Sequence, residues 1–195
     1  SGTTGAARQA AGRMESGDVR VIDSLSANAG EGLVAVVAAE AAILGWSADE
    51  VETLLLDRIP RTRLVGVSDY LAWAVKGGRV PGVIKKITGF LHVNPVLTAN
   101  SEGKMGLAGF HTGLGANPAK LARTVLRKMR PETMYRVLIS HANNEAGAKA
   151  TRHHILEKHG PIHSCHITNA GPALGAHFGP GGIIVGFCPQ PPALN

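Results

Sequence analysis

Two glycine-rich elements carry the residue types best suited to binding a ligand. The first is Ser1-Gly2-Thr3, at the mouth of a helix predicted over 3–15. Small hydroxyl side chains and free backbone N–H groups at a helix start make a site for a carboxylate or phosphate, and they serve equally as an ordinary N-cap. The second is Gly175-Ala-His177-Phe-Gly179-Pro-Gly-Gly182, predicted as a loop before the last strand. Glycine lets backbone approach a ligand closely, and a histidine in such a loop can donate to an anion. A tight turn with an incidental histidine uses the same residues.

A third group, His153, His154, His159, His163, Cys165 and His166, holds metal-ligand types. The strand predicted over 163–168 puts His163 and Cys165 on one face and His166 on the other, so one ion cannot collect all three without a bulge. Neither Cys165 nor Cys188 has an electropositive neighbour or helix N-terminus to activate a thiol. Familiar motifs fail at defining positions. Gly77 to Gly82 has P-loop glycine spacing, but Val83 stands where lysine is required. Gly113-Leu-Gly115 meets Pro118 where a dinucleotide fingerprint needs its third glycine. Gly66-Val-Ser68-Asp-Tyr70 lacks the second glycine of a nucleophile elbow.

The chain that must position these residues has 195 of them, 44% hydrophobic and 17% charged, which excludes a disordered polymer. Two cysteines exclude a disulfide scaffold and point to a reducing, cytoplasmic compartment. No run of about 18 uncharged apolar residues is present, so no membrane span is expected. The formal charge of +6 raises nucleic acid as a partner, but aromatics are only 4% and base-stacking platforms are scarce. The densest basic group, Arg123, Arg127, Lys128 and Arg130, reads first as a solvated helix face, so no nucleic-acid partner is expected.

Helical and extended patterns alternate. Val19–Ile22 reads as a short strand, 31–44 as an Ala/Val-rich helix, and Ser47-Ala-Asp-Glu50 as a capping box opening a further helix. Strands are predicted over 63–67, 91–97, 104–110, 135–140, 163–168 and 183–187, with Pro95 placing the second at an edge or a bend. Helices are predicted over 69–76, 82–89, 117–129 and 144–158, and the Pro-rich end from Pro189 reads as loose. The class is α/β, with α+β character in the second half. Residues 1–60 contain one predicted strand and three helices, too little for a sheet. They are expected to be the C-terminal part of an α/β domain, with a second α/β domain over 61–188 and a tail over 189–195.

Five features in order resemble the DegV family of bacterial fatty-acid-binding proteins. Ser1-Gly2-Thr3 with Ala7-Arg8 resembles its S-G-T-Y-x-x-A-R helix start, and Val21-Ile-Asp23-Ser24 with Gly30-Glu-Gly32 its V-x-D-S and G-x-G stretch. Leu71 with Lys76-Gly-Gly-Arg79-Val80 resembles its L-x-x-L-x-x-G-G-R-I. Leu91-His-Val-Asn94-Pro95-Val-Leu97 with Glu102-Gly103-Lys104 resembles its L-N-I-x-P-I-L and D-G-K. Gly175-Ala-His177-Phe-Gly179-Pro180-Gly181 resembles its G-x-H-x-G-P-G.

The resemblance implies a DegV-like two-domain fold with its first domain truncated, and a fatty acid lying in a tunnel as ligand, with no other cofactor. It implies a binding protein, not an enzyme, that presents the acyl carboxylate to a dihydroxyacetone-kinase-like fatty acid kinase domain. Ser1 would bind the carboxylate with backbone help from Gly2 and Thr3, His177 would donate from the opposite domain, and Arg79 and Asn94 would organise the interface. Two departures bear on this: Thr4 replaces the tyrosine, and His111 or Thr112 stands where a basic residue usually follows the D-G-K hairpin. The segment that usually precedes the S-G-T motif is not in this sequence, so the chain alone is expected to bind its ligand poorly. Burying a tail of about sixteen carbons at about 0.8 kcal/mol per CH₂ gives about 13 kcal/mol gross, much of it offset by association entropy. The apolar residues of 31–44 and 83–97 suit such a tunnel, as they suit a plain core. The alternative is a phosphotransfer enzyme or subunit of the dihydroxyacetone-kinase-like type, with His177 as covalent nucleophile.

Overall fold

Ser47 and Glu50 fix the start of a helix reciprocally. The Glu50 backbone N–H donates to Ser47 Oγ at 3.4 Å, and the Ser47 N–H donates to Glu50 Oε2 at 2.8 Å. This is the expected capping box, and it opens a helix over Ala48–Arg58. Ser47→Ala should cost about 1 kcal/mol, the usual worth of an N-cap, measurable by chemical denaturation.

A computed structural model describes residues 2–15, 17–68, 93–113 and 115–194. Ser1, Arg79 and the helices expected over 69–76 and 82–89 lie outside the described residues. The described helices are α1 (Gly2–Ala11), α2 (Ala29–Ile43), α3 (Ala48–Arg58), α4 (Pro118–Leu126), α5 (Glu145–Lys158) and α6 (Pro172–Phe178). The strands are β1 (Arg63–Val67), β2 (Val93–Ala99), β3 (Met105–Thr112), β4 (Tyr135–His141), β5 (Ile162–Asn169) and β6 (Ile183–Pro189).

The six strands form one mixed sheet in the order β3-β2-β1-β6-β4-β5. Among the described strands only β4 and β5 are parallel, joined through α5; the other neighbours are antiparallel. This is the α/β class with α+β character expected from the alternation. One face carries α4 and α5, whose Leu121, Val125, Ala148 and Ile155 pack on Val65, Val67, Val137, Ile139, Val185 and Phe187. The other face meets α2, where Ala29 joins Leu64, Leu97, Phe178 and Ile184. A central strand covered on both sides must be apolar throughout, and β4 and β6 are buried along almost their whole length.

One glycine shapes the α2 face. A Cβ at Gly186 would lie 2.6 Å from the backbone carbon and oxygen of Ala29, so only glycine lets α2 sit this close to β6. The expected boundary near residue 60 falls between α3 and β1, and α2 packs across it onto the sheet. Beneath α2 lies Arg136, only 2% exposed. Its Nη1 pairs with Glu40 Oε2 at 2.5 Å, and its Nε donates to Gln190 Oε1.

The hydrogen bond from Arg136 holds the Glu40 carboxyl below its ordinary value of 4.5, against the opposing effect of partial burial. A carboxylate with a depressed folded pKa contributes stability that is fully present above its unfolded pKa and is lost as pH falls through the folded value. Wild type should therefore be more stable than Glu40→Gln at pH 7, and the gap should close below about pH 4. Parallel thermal melts across pH check this; a gap that does not change with pH would contradict it.

Several expectations are corrected. Val19–Ile22 joins no ladder; Arg20 instead bonds Asp49 at 2.5 Å and Glu52 at 3.1 Å, tying the segment to α3. Of the edge or bend expected at Pro95, the edge is excluded, since β2 lies between β1 and β3, and a register irregularity stands beside it instead. Pro95 falls one residue beyond Val96, the last β2 position paired with β1, and beside a bulge at Val96/Leu97, so its missing N–H is tolerated. The C-terminal end is not loose. Leu194 is buried with Val34, Val37 and Leu55, and Gln190 Nε2 donates to Leu194 O at 3.0 Å. Its prolines disguise a buried anchor. Finally, His177 lies in a helix, not a loop: Pro172 pre-sets the first turn of α6, and Gly179 ends it with φ 75°.

Candidate functional site

The antiparallel register brings the C-terminal ends of β1 and β4 and the start of β6 to one end of the sheet. By the same pairing, the start of β2 and the end of β3 lie there too. Ser68, Asn94, Thr112, His141 and the α6–β6 turn therefore share that end. Both Asn94 and His177, expected from sequence, come to it.

His177 is half-buried in the last turn of α6, and the next residue holds that turn in place. Phe178 is 5% exposed and wedges between two glycines. A Cβ at Gly66 would lie 2.7 Å from Phe178 Cζ, and one at Gly182 would lie 2.3 Å from Phe178 Cδ1. Ser68 Oγ donates to Phe178 O at 2.5 Å. The helix thus ends against the sheet with its carbonyl end fixed.

Asn94 is 5% exposed, and its Nδ2 donates to Gly113 O at 3.0 Å and Gly115 O at 2.7 Å. Its two N–H donors are therefore spent on these two carbonyls after β3. Gly2 and Thr3 open α1, which buries none of its ten residues. None of the four concavities described among these residues is lined by Gly2, Thr3, Asn94 or His177. The α2 helix, expected to line a tunnel, offers Val34, Ala35, Ala38, Ala39 and Ala42 to a groove of about 720 Å³ shared with α3.

Sequence reasoning missed Lys120. A concavity of about 240 Å³ beside the end of β3 is lined by His111, Thr112, Lys120, Arg123, Thr124 and Arg127, among others. Lys120 Nζ donates to Thr112 O at 2.6 Å. Lys120 of α4 thus sets a cation beside the end of β3. The signal was present: Asn117-Pro118 caps that helix, and spacings of three and four place 120, 123 and 127 on one face. His111 is 9% exposed, and its Nε2 lies 3.0 Å from Thr124 Oγ1. Because the Thr124 hydroxyl donates to Lys120 O, that oxygen accepts from His111 Nε2–H. Burial, with Lys120 and Arg127 nearby, lowers the His111 pKa and keeps the ring neutral.

Burial pushes the Cys165 and Cys188 thiols up to about 11, so neither is an activated nucleophile. Cys165 pairs in register with Val137 on the α5 face and His166 with Leu138 on the other, as the strand periodicity requires. Among the described residues no three His, Cys, Asp or Glu side chains converge as a metal site, and no helix is long and apolar enough to cross a membrane.

A family model described as "Uncharacterised protein, DegV family" matches residues 1–190. The chain belongs to the DegV family. A DegV domain-containing protein of Clostridium acetobutylicum is 29% identical over 171 residues, covering 87% of this chain and 58% of its own length. One from Streptococcus pyogenes is 26% identical over 167 residues, covering 86% of this chain and 57% of that protein. The chain thus spans little more than half the length of these DegV relatives. Among solved structures, a DegV lipid binding protein of Thermotoga maritima superposes with a TM-score of 0.85 at 24% identity, covering 97% of this chain and 65% of that one. A DegV family protein of Eubacterium eligens loaded with heptadecanoic acid gives 0.81 at 25% identity, covering 98% and 69%. The Streptococcus pneumoniae Fatty Acid Kinase (Fak) B3 protein loaded with linoleic acid gives 0.82 at 23% identity, covering 97% and 68%. These likenesses establish the DegV fold for the described sheet and its helices.

Proposed function

We propose that this DegV chain belongs to a fatty-acid carrier, a binding protein that holds an acyl chain and presents its carboxylate to a partner kinase. The observation that carries the reading is the likeness to the Eubacterium eligens DegV protein loaded with heptadecanoic acid. It is supported by the apolar α2 groove and by a histidine held at the end of a fixed helix. The Fak B3 likeness supports a kinase as partner, and the family resemblance implies that it is of the dihydroxyacetone-kinase-like type. In this reading Ser1, with the backbone of Gly2 and Thr3, binds the carboxylate, and His177 donates to it. Arg79 and Asn94 organise the surrounding structure, Asn94 by holding the carbonyls of Gly113 and Gly115. No cofactor besides the bound fatty acid is needed, because the carrier makes and breaks no bond. The reading places the protein in the cytoplasm.

Thermal melts of the delipidated full gene product with added palmitate test the binding. A ligand that binds only the folded state at 100 times its Kd should add about 2.7 kcal/mol, raising the melting temperature by several degrees. No shift with saturated or unsaturated long-chain acids would reject the carrier. Incubation with ATP should yield an acyl phosphate only when a fatty acid kinase is added. Turnover of a small ketone by the protein alone, abolished by His177→Ala, would favour the phosphotransfer alternative instead.

A further inference from the structure

The turn that follows His177 is built from residues that cannot hold themselves. The α6 helix has seven residues, too few to be stable in isolation. It runs into Gly179-Pro180-Gly181-Gly182, where Gly179 and Gly181 have φ of 75° and 88°. Such a segment is conformationally loose unless other elements fix it.

Two side chains from two different strand ends do so. Ser68, at the end of β1, donates from Oγ to Phe178 O at 2.5 Å. Asn144, just beyond β4, uses both ends of its amide: Oδ1 accepts from Gly147 N at 3.0 Å, capping α5, and Nδ2 donates to Gly181 O at 2.7 Å. The backbone of Ala142 reinforces this, accepting from Gly181 N at 2.7 Å and donating to Gly182 O at 3.0 Å. The space for Asn144 is itself built in, since a Cβ at Gly147 would lie 2.6 Å from Asn144 Oδ1. The two clamps grip the residues one and four positions after His177.

We propose that Asn144 and Ser68 are positioning residues for His177, fixing the α6–β6 turn so that the imidazole is pre-organised for a carboxylate head group. This rests on the reading of His177 as a head-group donor. A donor held in place before the ligand arrives loses less conformational freedom on binding, so its hydrogen bond contributes more to affinity. Neither residue needs to touch the fatty acid.

The amide of Asn144 allows its two roles to be separated. Asn144→Asp keeps an oxygen for Gly147 N, and a negative charge suits a helix start, so α5 stays capped. The same change removes the donor to Gly181 O and sets a carboxylate oxygen against it. In the full gene product, Asn144→Asp should leave the melting temperature near wild type while weakening palmitate binding by about tenfold, the scale of one charge-assisted hydrogen bond. Ser68→Ala should weaken it in the same direction. In a His177→Ala background neither change should cost further affinity, because the group they position is gone. By NMR, the palmitate-induced change in the chemical shifts of the His177 ring should shrink in Asn144→Asp.

Full affinity in both Asn144→Asp and Ser68→Ala, with His177→Ala weakened, would overturn the positioning role. So would losses that simply add to that of His177→Ala. Unchanged affinity in His177→Ala itself would instead overturn the head-group reading on which this rests.

Discussion

Gly186→Ala should destabilise the protein by about 3 kcal/mol, a fall of roughly 6–12 °C in melting temperature for a chain of this size. The added methyl would sit 2.6 Å from the backbone carbon and oxygen of Ala29 and 2.7 Å from Gly30 N. No side chain can swing aside there, because the obstacle is the first turn of α2. The helix must lift from β6, which opens the cluster of Ala29, Leu64, Leu97, Phe178 and Ile184. Interiors are close-packed, so the displacement is transmitted instead of absorbed locally. Phe178 belongs to that cluster, and the strain should reach the α6 end as well. Gly45→Ala makes a control at a glycine with open space, strained only by its φ of 83°. A fall at Gly186 no larger than at Gly45 would contradict the close α2–β6 packing.

His177→Ala should weaken fatty-acid binding in the full gene product by about 10- to 100-fold, the range for a hydrogen bond to a charged group. It should do so with little change in stability. His177 is half-buried in the last turn of a short helix and makes no hydrogen bond among the described residues. The fold therefore loses little when the ring goes, whereas a carboxylate would lose a donor in a partly desolvated place. Titration calorimetry with palmitate and a parallel melt separate the two effects. A loss of affinity matched by an equal loss of stability would point to a packing role, and unchanged affinity would remove the assigned role.

Most elements were legible because local chemistry marks them. The capping box at Ser47, Asn117-Pro118 before α4 and the Glu102-Gly103 turn between β2 and β3 each define a boundary through hydrogen bonds or backbone angles within a few residues. Failures came where distant partners decide. Val19–Ile22 alternates as a strand does, but Arg20 finds Asp49 and Glu52 instead of a ladder. Glycines around His177 suggested a loop, yet Pro172 starts a helix there and Gly179 merely ends it.

The Pro-rich end looked like a tail because nothing in its composition shows that Leu194 fits between α2 and α3. Of the candidate site, His177 and Asn94 were legible as motif residues, but the tasks of their neighbours were not. Asn144 and Ser68 are separated from His177 by 33 and 109 positions in sequence, and only the sheet register brings them to one place. The Lys120 contribution was hidden in the same way, since α4 was read as a solvated face and β3 as lacking its basic residue.

The carrier reading is tested most directly by native mass spectrometry of the full gene product purified without added lipid. The expected spectrum shows a protein peak heavier than the polypeptide by the mass of one long-chain fatty acid, released on denaturation and identified by lipid extraction. Bare polypeptide mass, with no fatty acid extracted and none taken up on incubation with palmitate, would contradict the account.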